Sequence, residues 1–395
     1  MTSTQDVAPA LPTVGAATAL LDGYRAGDDR FFASPTRTLL AHGTRAEVPH
    51  DERPLTERVA AVLRDRQAAG DAAPVVVGAV AFDHEEPAAL AVPDTVRWAP
   101  ALHRDPLIGV DAEAPGDGAW DVRQVPAPEE YAESVARAVQ RMRAGELDKV
   151  VLARTLELRP PSALDLPALL QRLARRDPSG YTFAVPSGPG RTLLGASPEL
   201  LVSRRGGRLV ANPLAGSTPR SADLAEDVRR AAALLESPKD LHEHAVVVDA
   251  VRAALAPYCD DLTVPERPTL VRTAAMWHLA TTVTGTVREP AVSALELACA
   301  LHPTPAVCGT PTPSAREVIR ELEPFDRGMF TGMVGWGDAD GDGEWVVTIR
   351  CAEAEQDRLR LYAGAGVVAD SSPEAETAET GAKFRTFLNA VGAEL

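Results

Sequence analysis

The chain is poor in the features that mark secreted, membrane-spanning and nucleic-acid-binding proteins. Its 395 residues include four cysteines, at positions 259, 299, 308 and 351, with no Cys-x-x-Cys pair. That scatter argues against a disulfide framework or a zinc site, and reads as reduced thiols in a cytoplasmic protein. No run of about 18 apolar residues occurs, so no membrane helix is expected. The opening Met-Thr-Ser-Thr-Gln-Asp-Val lacks the basic and apolar stretches of a secretory signal. Basic residues are outnumbered, 40 Lys+Arg against 56 Asp+Glu, for a formal net charge of −16. Nucleic acid is therefore excluded as a partner, because its binding needs a cationic surface that displaces counterions. An anionic small molecule has to be drawn in locally, by a metal or by placed Arg and Lys.

Several binding signatures are also missing. There is no phosphate-cradling P-loop, and Gly364-Ala-Gly366 lacks the third glycine of a dinucleotide fingerprint. Asp338-Ala-Asp340-Gly-Asp342 opens like a calcium loop, but the twelfth position is Ile349 where a bidentate Glu is required. It reads as a hairpin turn.

What is present describes a globular enzyme. Apolar content of 45% and charged content of 24% are ordinary for a folded protein. Helical spacing of Tyr131, Val135, Val139 and Met142 predicts a helix that stops at Gly145. A strand is predicted from Lys149 to Leu158, others near 181–185, 192–195, 200–203 and 209–211, and a long helix through Asp240, Glu243 and Leu255. Grouped strands point to an α+β chain (α/β in the broad sense) with antiparallel sheets. We expect a loose N-terminus over residues 1–25 and one domain over 26–395, with the chemistry concentrated in about 125–395.

Two helix starts carry that chemistry. Ser372-Pro373 predicts an N-cap and first helical residue, after which Glu376, Glu379 and Lys383 share one face. Ser237-Pro-Lys-Asp240-Leu-His-Glu243 repeats the spacing, with Asp240, Glu243 and His244 on one face. Two acidic faces that meet in space suit an oxygen-liganded ion of the magnesium type. Taken singly, Lys149 reads first as an edge lysine and Glu199 as a turn carboxylate, and the pattern leaves the burial of Arg350 at its strand end open.

Together the pieces resemble a family. Lys149-Val-Val-Leu-Ala-Arg154, Gly195-Ala-Ser-Pro-Glu-Leu-Leu201, Pro213-Leu-Ala-Gly-Ser217, Lys239-Asp-Leu-His-Glu-His244, His302-Pro-Thr-Pro-Ala306, Val347-Thr-Ile-Arg-Cys-Ala352 and Ala363-Gly-Ala-Gly366 followed by Ser372-Pro373, Glu376 and Glu379 stand in the order found in chorismate-utilising enzymes. The likeness is to isochorismate synthases of the siderophore type over about 125–395. It implies two packed antiparallel sheets surrounded by helices in a single large domain, with Mg²⁺ as cofactor. It implies Glu243 and Glu376 as metal ligands, with Asp240 and Glu379 nearby through water, and chorismate as substrate.

The resemblance further implies that Arg350 grips a substrate carboxylate. It implies that backbone donors at Gly216, Gly364 and Gly366, the Ser217 hydroxyl and the Lys383 ammonium complete the anion site, and that His278 is a substrate-pocket histidine. Lys149 matches the family's base and Glu199 its acid, roles that need ordinary values of about 10.4 and 4.3 to converge. A lysine shift of roughly three units is about 4 kcal/mol, a size burial can supply. Lys149 disfavours the ammonia-using relatives, the anthranilate and aminodeoxychorismate synthases. Ala306 and Phe330, where salicylate synthases carry Thr and Tyr, favour an enzyme that stops at isochorismate. A salicylate synthase, a menaquinone-pathway isochorismate synthase and an inactive chorismate binder are the alternatives. A monomer feeding an isochorismatase is expected.

Overall fold

In the computed structural model the described residues are 14–114 and 118–394. The strands form two large antiparallel sheets and one small one. The first large sheet runs through Gly309–Thr310, Lys149–Arg159, Arg358–Val367, Cys351–Glu355, Arg191–Ser197, Tyr181–Gly188, Asp29–Ala33, Arg37–His42 and Thr95–Pro100, with Asp121–Val125 also paired to Lys149–Arg159. The second runs through Cys259–Thr263, Val283–Val287, Arg208–Asn212, Leu200–Arg205, Gly343–Val347, Met333–Asp338, Val75–Val80, Ala89–Val92 and Ala46–Glu47.

The sheets pack face to face. Phe32, Leu39, Phe183 and Leu193 of the first meet Val77, Val334, Trp336 and Val346 of the second in one buried cluster. The strands between them are buried almost throughout; Lys149–Arg159 has one exposed residue, its last. Helices close the outer faces. Ala16–Asp22, Leu166–Arg176 and Pro373–Val391 cover the first sheet, while Leu55–Ala68, Pro238–Leu255 and Ala294–Leu301 cover the second. Pro128–Arg143 and Thr312–Leu322 pack together near the start of Lys149–Arg159.

Two differences from the sequence reading have causes that lie far along the chain. The loose stretch expected over 1–25 is helical from Ala16 to Asp22, with Ala17, Leu20 and Leu21 buried. Asp105 holds it in place, accepting the amides of Ala17 and Thr18 at 3.1 and 3.0 Å. Residues 1–13 of that stretch lie outside the described residues. The second difference is a third sheet of Leu214–Pro219, Met276–Ala280 and Thr269–Arg272. Its register sets Ser217 opposite His278, two residues the sequence reading placed in the site.

Candidate active site

The two acidic helices start as their sequences require. Ser237 accepts the Asp240 amide at 3.3 Å and Ser372 the Ala375 amide at 3.3 Å, each followed by proline. Both helices contribute side chains to one cavity, lined among others by Glu199, Gly216, Ser217, Lys239, Asp240, Glu243, His278, Ala306, Phe330, Arg350, Gly364, Gly366, Glu379 and Lys383. Lys149 and Glu376 stand behind this lining, each bonded to a residue in it. A wider groove beside Leu55–Ala68, lined by Arg53, Glu57, Arg64 and Asp338, contains none of the candidate residues.

Three ion pairs organise the acidic side. Lys149 donates to Glu243 Oε1 at 2.8 Å, with side chains 3% and 12% exposed. Lys239 reaches Glu376 Oε1 at 3.1 Å, and Lys383 reaches Glu379 Oε1 at 2.7 Å. Burial by itself would raise the Glu243 carboxyl, but Lys149 beside it holds it below the usual range. Burial and neighbouring Glu379 leave Glu376 raised, against the pull of Lys239. Asp240 is raised by burial and by Glu243 and Glu379. Among the described residues no three ligating side chains are already gathered around one point. Three of the four carboxylates are instead turned onto a lysine.

Lys149 is therefore engaged by Glu243 in this arrangement, and it has to leave that carboxylate before it can act on another group. Glycine permits the pair. An added Cβ at Gly366 would lie 2.5 Å from Glu243 Oε1 and 3.2 Å from Lys149 Cε. At Gly216 a positive φ of 78° and a Cβ only 3.1 Å from Asp240 Cβ impose the same requirement. Gly364 contributes a carbonyl, which accepts from Lys383 at 2.7 Å; the sequence reading expected an amide donor there. Ser217 Oγ donates to Glu379 Oε1 at 3.2 Å.

The opposite wall carries Glu199 and Arg350. Glu199 ends the link between Arg191–Ser197 and Leu200–Arg205, where Ser197 Oγ accepts its amide at 3.2 Å. Its carboxyl is 3% exposed and accepts only the Leu214 amide, at 3.4 Å. Burial pushes it up to about 7, against the lowering effect of the Leu214 amide and Lys149. Arg350 stands at φ 49°, between Gly343–Val347 and Cys351–Glu355. Its Nη2 lies 3.4 Å from His278 Nε2, while its buried Nη1 has no partner among the described residues. Desolvation lowers its guanidinium to about 10. Burial, with Arg350 and Lys383 nearby, drives His278 well below its ordinary value, so the imidazole is neutral. Phe330 stacks on Tyr362 at 4.9 Å and 11°.

The sequence reading grouped His244 with the acids. In the structure its ring is spent elsewhere, 3.2 Å from Ala215 O and 2.7 Å from Thr281 Oγ1. Lys239 and Tyr362 line the cavity and were missed. A signal for Lys239 existed: the chain has three lysines, and the other two had already been selected.

Antiparallel sheets with two acidic helix starts facing a lysine, a buried carboxyl and a guanidinium edge agree with what the resemblance to chorismate-utilising enzymes implies. Residues 111–392 match the family described as chorismate binding enzyme, and the chain belongs to that family. It is 53% identical over 386 residues to the isochorismate synthase DhbC of Bacillus subtilis (strain 168), covering 95% of this chain and 96% of the relative. It is 42% identical over 388 residues to the vibriobactin-specific isochorismate synthase of Vibrio cholerae, covering 95% and 94%. The crystal structure of DhbC from Bacillus anthracis matches with a TM-score of 0.89 at 50% identity, covering 96% of this chain and 100% of that one.

Proposed function

We propose that the protein is a Mg²⁺-dependent isochorismate synthase, interconverting chorismate and isochorismate by adding water at ring C2 as the C4 hydroxyl leaves. One observation carries the reading. Glu199, which burial keeps protonated to about pH 7, opens onto the same cavity as an unpartnered Arg350 Nη1 and the acid–lysine array.

In this reading Lys149, released from Glu243 and with its ammonium proton passed to solvent, takes a proton from the water that attacks C2. Glu199 gives its proton to the C4 hydroxyl, which departs as a second water while the ring double bonds shift. Proton return from the lysine to the carboxylate, through solvent, resets both groups. Arg350 holds the enolpyruvyl carboxylate through its guanidinium fork, with neutral His278 beside it. Ser217 and Lys383 complete the anion site, and the close approach at Gly216, Gly364 and Gly366 leaves the ring its space.

The donor set suits a hard divalent cation, since it is made of carboxylates and small enough backbone to admit one. Glu243 and Glu376 are the ligands assigned to Mg²⁺, with Asp240 and Glu379 acting through water. Bound there, the metal supplies the positive charge that a ring carboxylate needs beside so many acids. Ala306 and Phe330 present no hydroxyl to the ring, which favours release of isochorismate over pyruvate elimination.

The relatives support a siderophore branch: one is named vibriobactin-specific, and the Bacillus anthracis structure is described as a candidate 2,3-dihydroxybenzoate-specific isochorismate synthase. We assign the protein to the cytoplasm, as a monomer whose product an isochorismatase consumes. Among the described residues no helix is long and apolar enough to cross a membrane. Chromatography of chorismate incubated with the protein and Mg²⁺ tests the reading. Isochorismate should form and stop forming with EDTA; pyruvate without added isochorismatase would favour a salicylate synthase. Unchanged chorismate would end the proposal.

A further inference from the structure

The chain has 40 basic residues but only three lysines, and every lysine is at this site. Each engages a different carboxylate of the acidic set. A lysine ammonium is a compact charge on a flexible stem, so it can exchange a carboxylate for water without the geometric demands of a guanidinium fork.

The three pairs are not alike. Lys149 is enclosed, its side chain 3% exposed. Lys383 is tied twice, to Glu379 and to Gly364 O. Lys239 is 42% exposed on its side chain, lies in the first turn of Pro238–Leu255, and makes its one hydrogen bond to Glu376, which is 2% exposed. One partner of that pair has ready access to solvent and the other has none.

We propose that Lys239 is a displaceable counter-ion: a divalent cation reaches Glu376 by expelling the Lys239 ammonium into solvent, so this side chain sets how tightly the protein holds metal. The proposal rests on the reading of Glu376 as a metal ligand. An ammonium 3.1 Å from Oε1 and a dication at about 2.1 Å compete for the charge of one buried carboxylate. Removing the ammonium leaves a buried carboxylate without compensation, and such a group binds the next available cation more strongly. Charge points the same way. Asp240, Glu243, Glu376 and Glu379 are balanced by the three lysines and Arg350 when Glu199 is protonated. A dication and a dianionic substrate restore that balance together, whereas either alone upsets it.

Mn²⁺ is the probe, and free Mn²⁺ is counted by electron paramagnetic resonance at pH 8 in protein without chorismate. Lys239→Met should bind Mn²⁺ about tenfold more tightly than the natural protein, and Lys239→Arg no more tightly. Adding Glu376→Gln to Lys239→Met should erase the gain. Because there are three lysines, acetylation with an amine-reactive ester reads each separately by mass spectrometry. Lys239 should be modified several-fold faster once Mn²⁺ saturates the site. Equal or weaker Mn²⁺ binding by Lys239→Met, no Mn²⁺ binding by any of these proteins, or unchanged Lys239 labelling would overturn the proposal. Chorismate is absent from both measurements, so protein that behaves as expected here yet makes no isochorismate would refute the functional reading alone.

Discussion

Replacing Glu199 with glutamine should cost activity and add stability, and the size of the gain depends on pH. Burial holds the Glu199 carboxyl at about 7 in the folded protein, against an ordinary value of 4.5. Between those values the folded chain keeps a proton that the unfolded chain has lost. Folded protein then binds more protons, so this residue's contribution to stability falls as pH rises, by about 1.4 kcal/mol per unit. The loss is under about 1 kcal/mol at pH 5 and about 3 kcal/mol at pH 8, where it levels off. Glutamine matches the protonated acid in shape and carries no charge, so it escapes this cost. Unfolding entropy of about 2 cal/mol/K per residue makes 3 kcal/mol worth roughly 4 °C for a chain of this length. Scanning calorimetry should therefore show Glu199→Gln melting about 4 °C above the natural protein at pH 8, and about 1 °C above it at pH 5. Chorismate turnover in the same variant should drop at least about a hundredfold. In the natural enzyme, loss of the Glu199 proton should supply a descending limb to the turnover profile above about pH 7, opposed by the gain of free amine at Lys149. A melting-point gain equal at both pH values, or absent at pH 8, would refute the argument that burial keeps this carboxyl protonated.

Other perturbations probe the remaining parts of the site. Lys149→Ala should lower kcat by about a hundredfold or more in an isochorismatase-coupled assay, and near-normal turnover would remove it from the base role. Gly366→Ala should disturb the Lys149–Glu243 pair, because the new methyl meets Glu243 Oε1 at 2.5 Å. The obstructing atom is the end of a flexible side chain, so kcat should collapse while the melting temperature moves by only a degree or two. Arg350→Lys keeps a charge but loses the fork, and KM for chorismate should rise roughly tenfold or more, read from initial rates.

Much of this protein is legible along the chain. Ser237-Pro and Ser372-Pro announce two helix starts by local capping chemistry, and both are found as N-caps. Period-2 and period-3.6 patterns place the helix before Gly145 and the strand from Lys149, because side-chain direction is fixed by local backbone geometry. Spacing of three and four then groups Glu376, Glu379 and Lys383, and separately Asp240 and Glu243. The early helix Ala16–Asp22 and the third sheet were not legible. The first is short and held by Asp105 from far along the chain, and the second owes its register to strands brought together from separate segments.

Local spacing determined which acids share a helix face and which residue types stand in reach of substrate chemistry. Tertiary packing alone decided what each of them meets. Glu243 finds Lys149 from 94 positions away and Glu376 finds Lys239 from 137. The Glu199 carboxyl rises to about 7 because the fold buries it, and the buried Arg350 guanidinium stands at φ 49° between two strands. Burial and charge pairing belong to distances across the fold, and a linear chain does not encode those distances residue by residue.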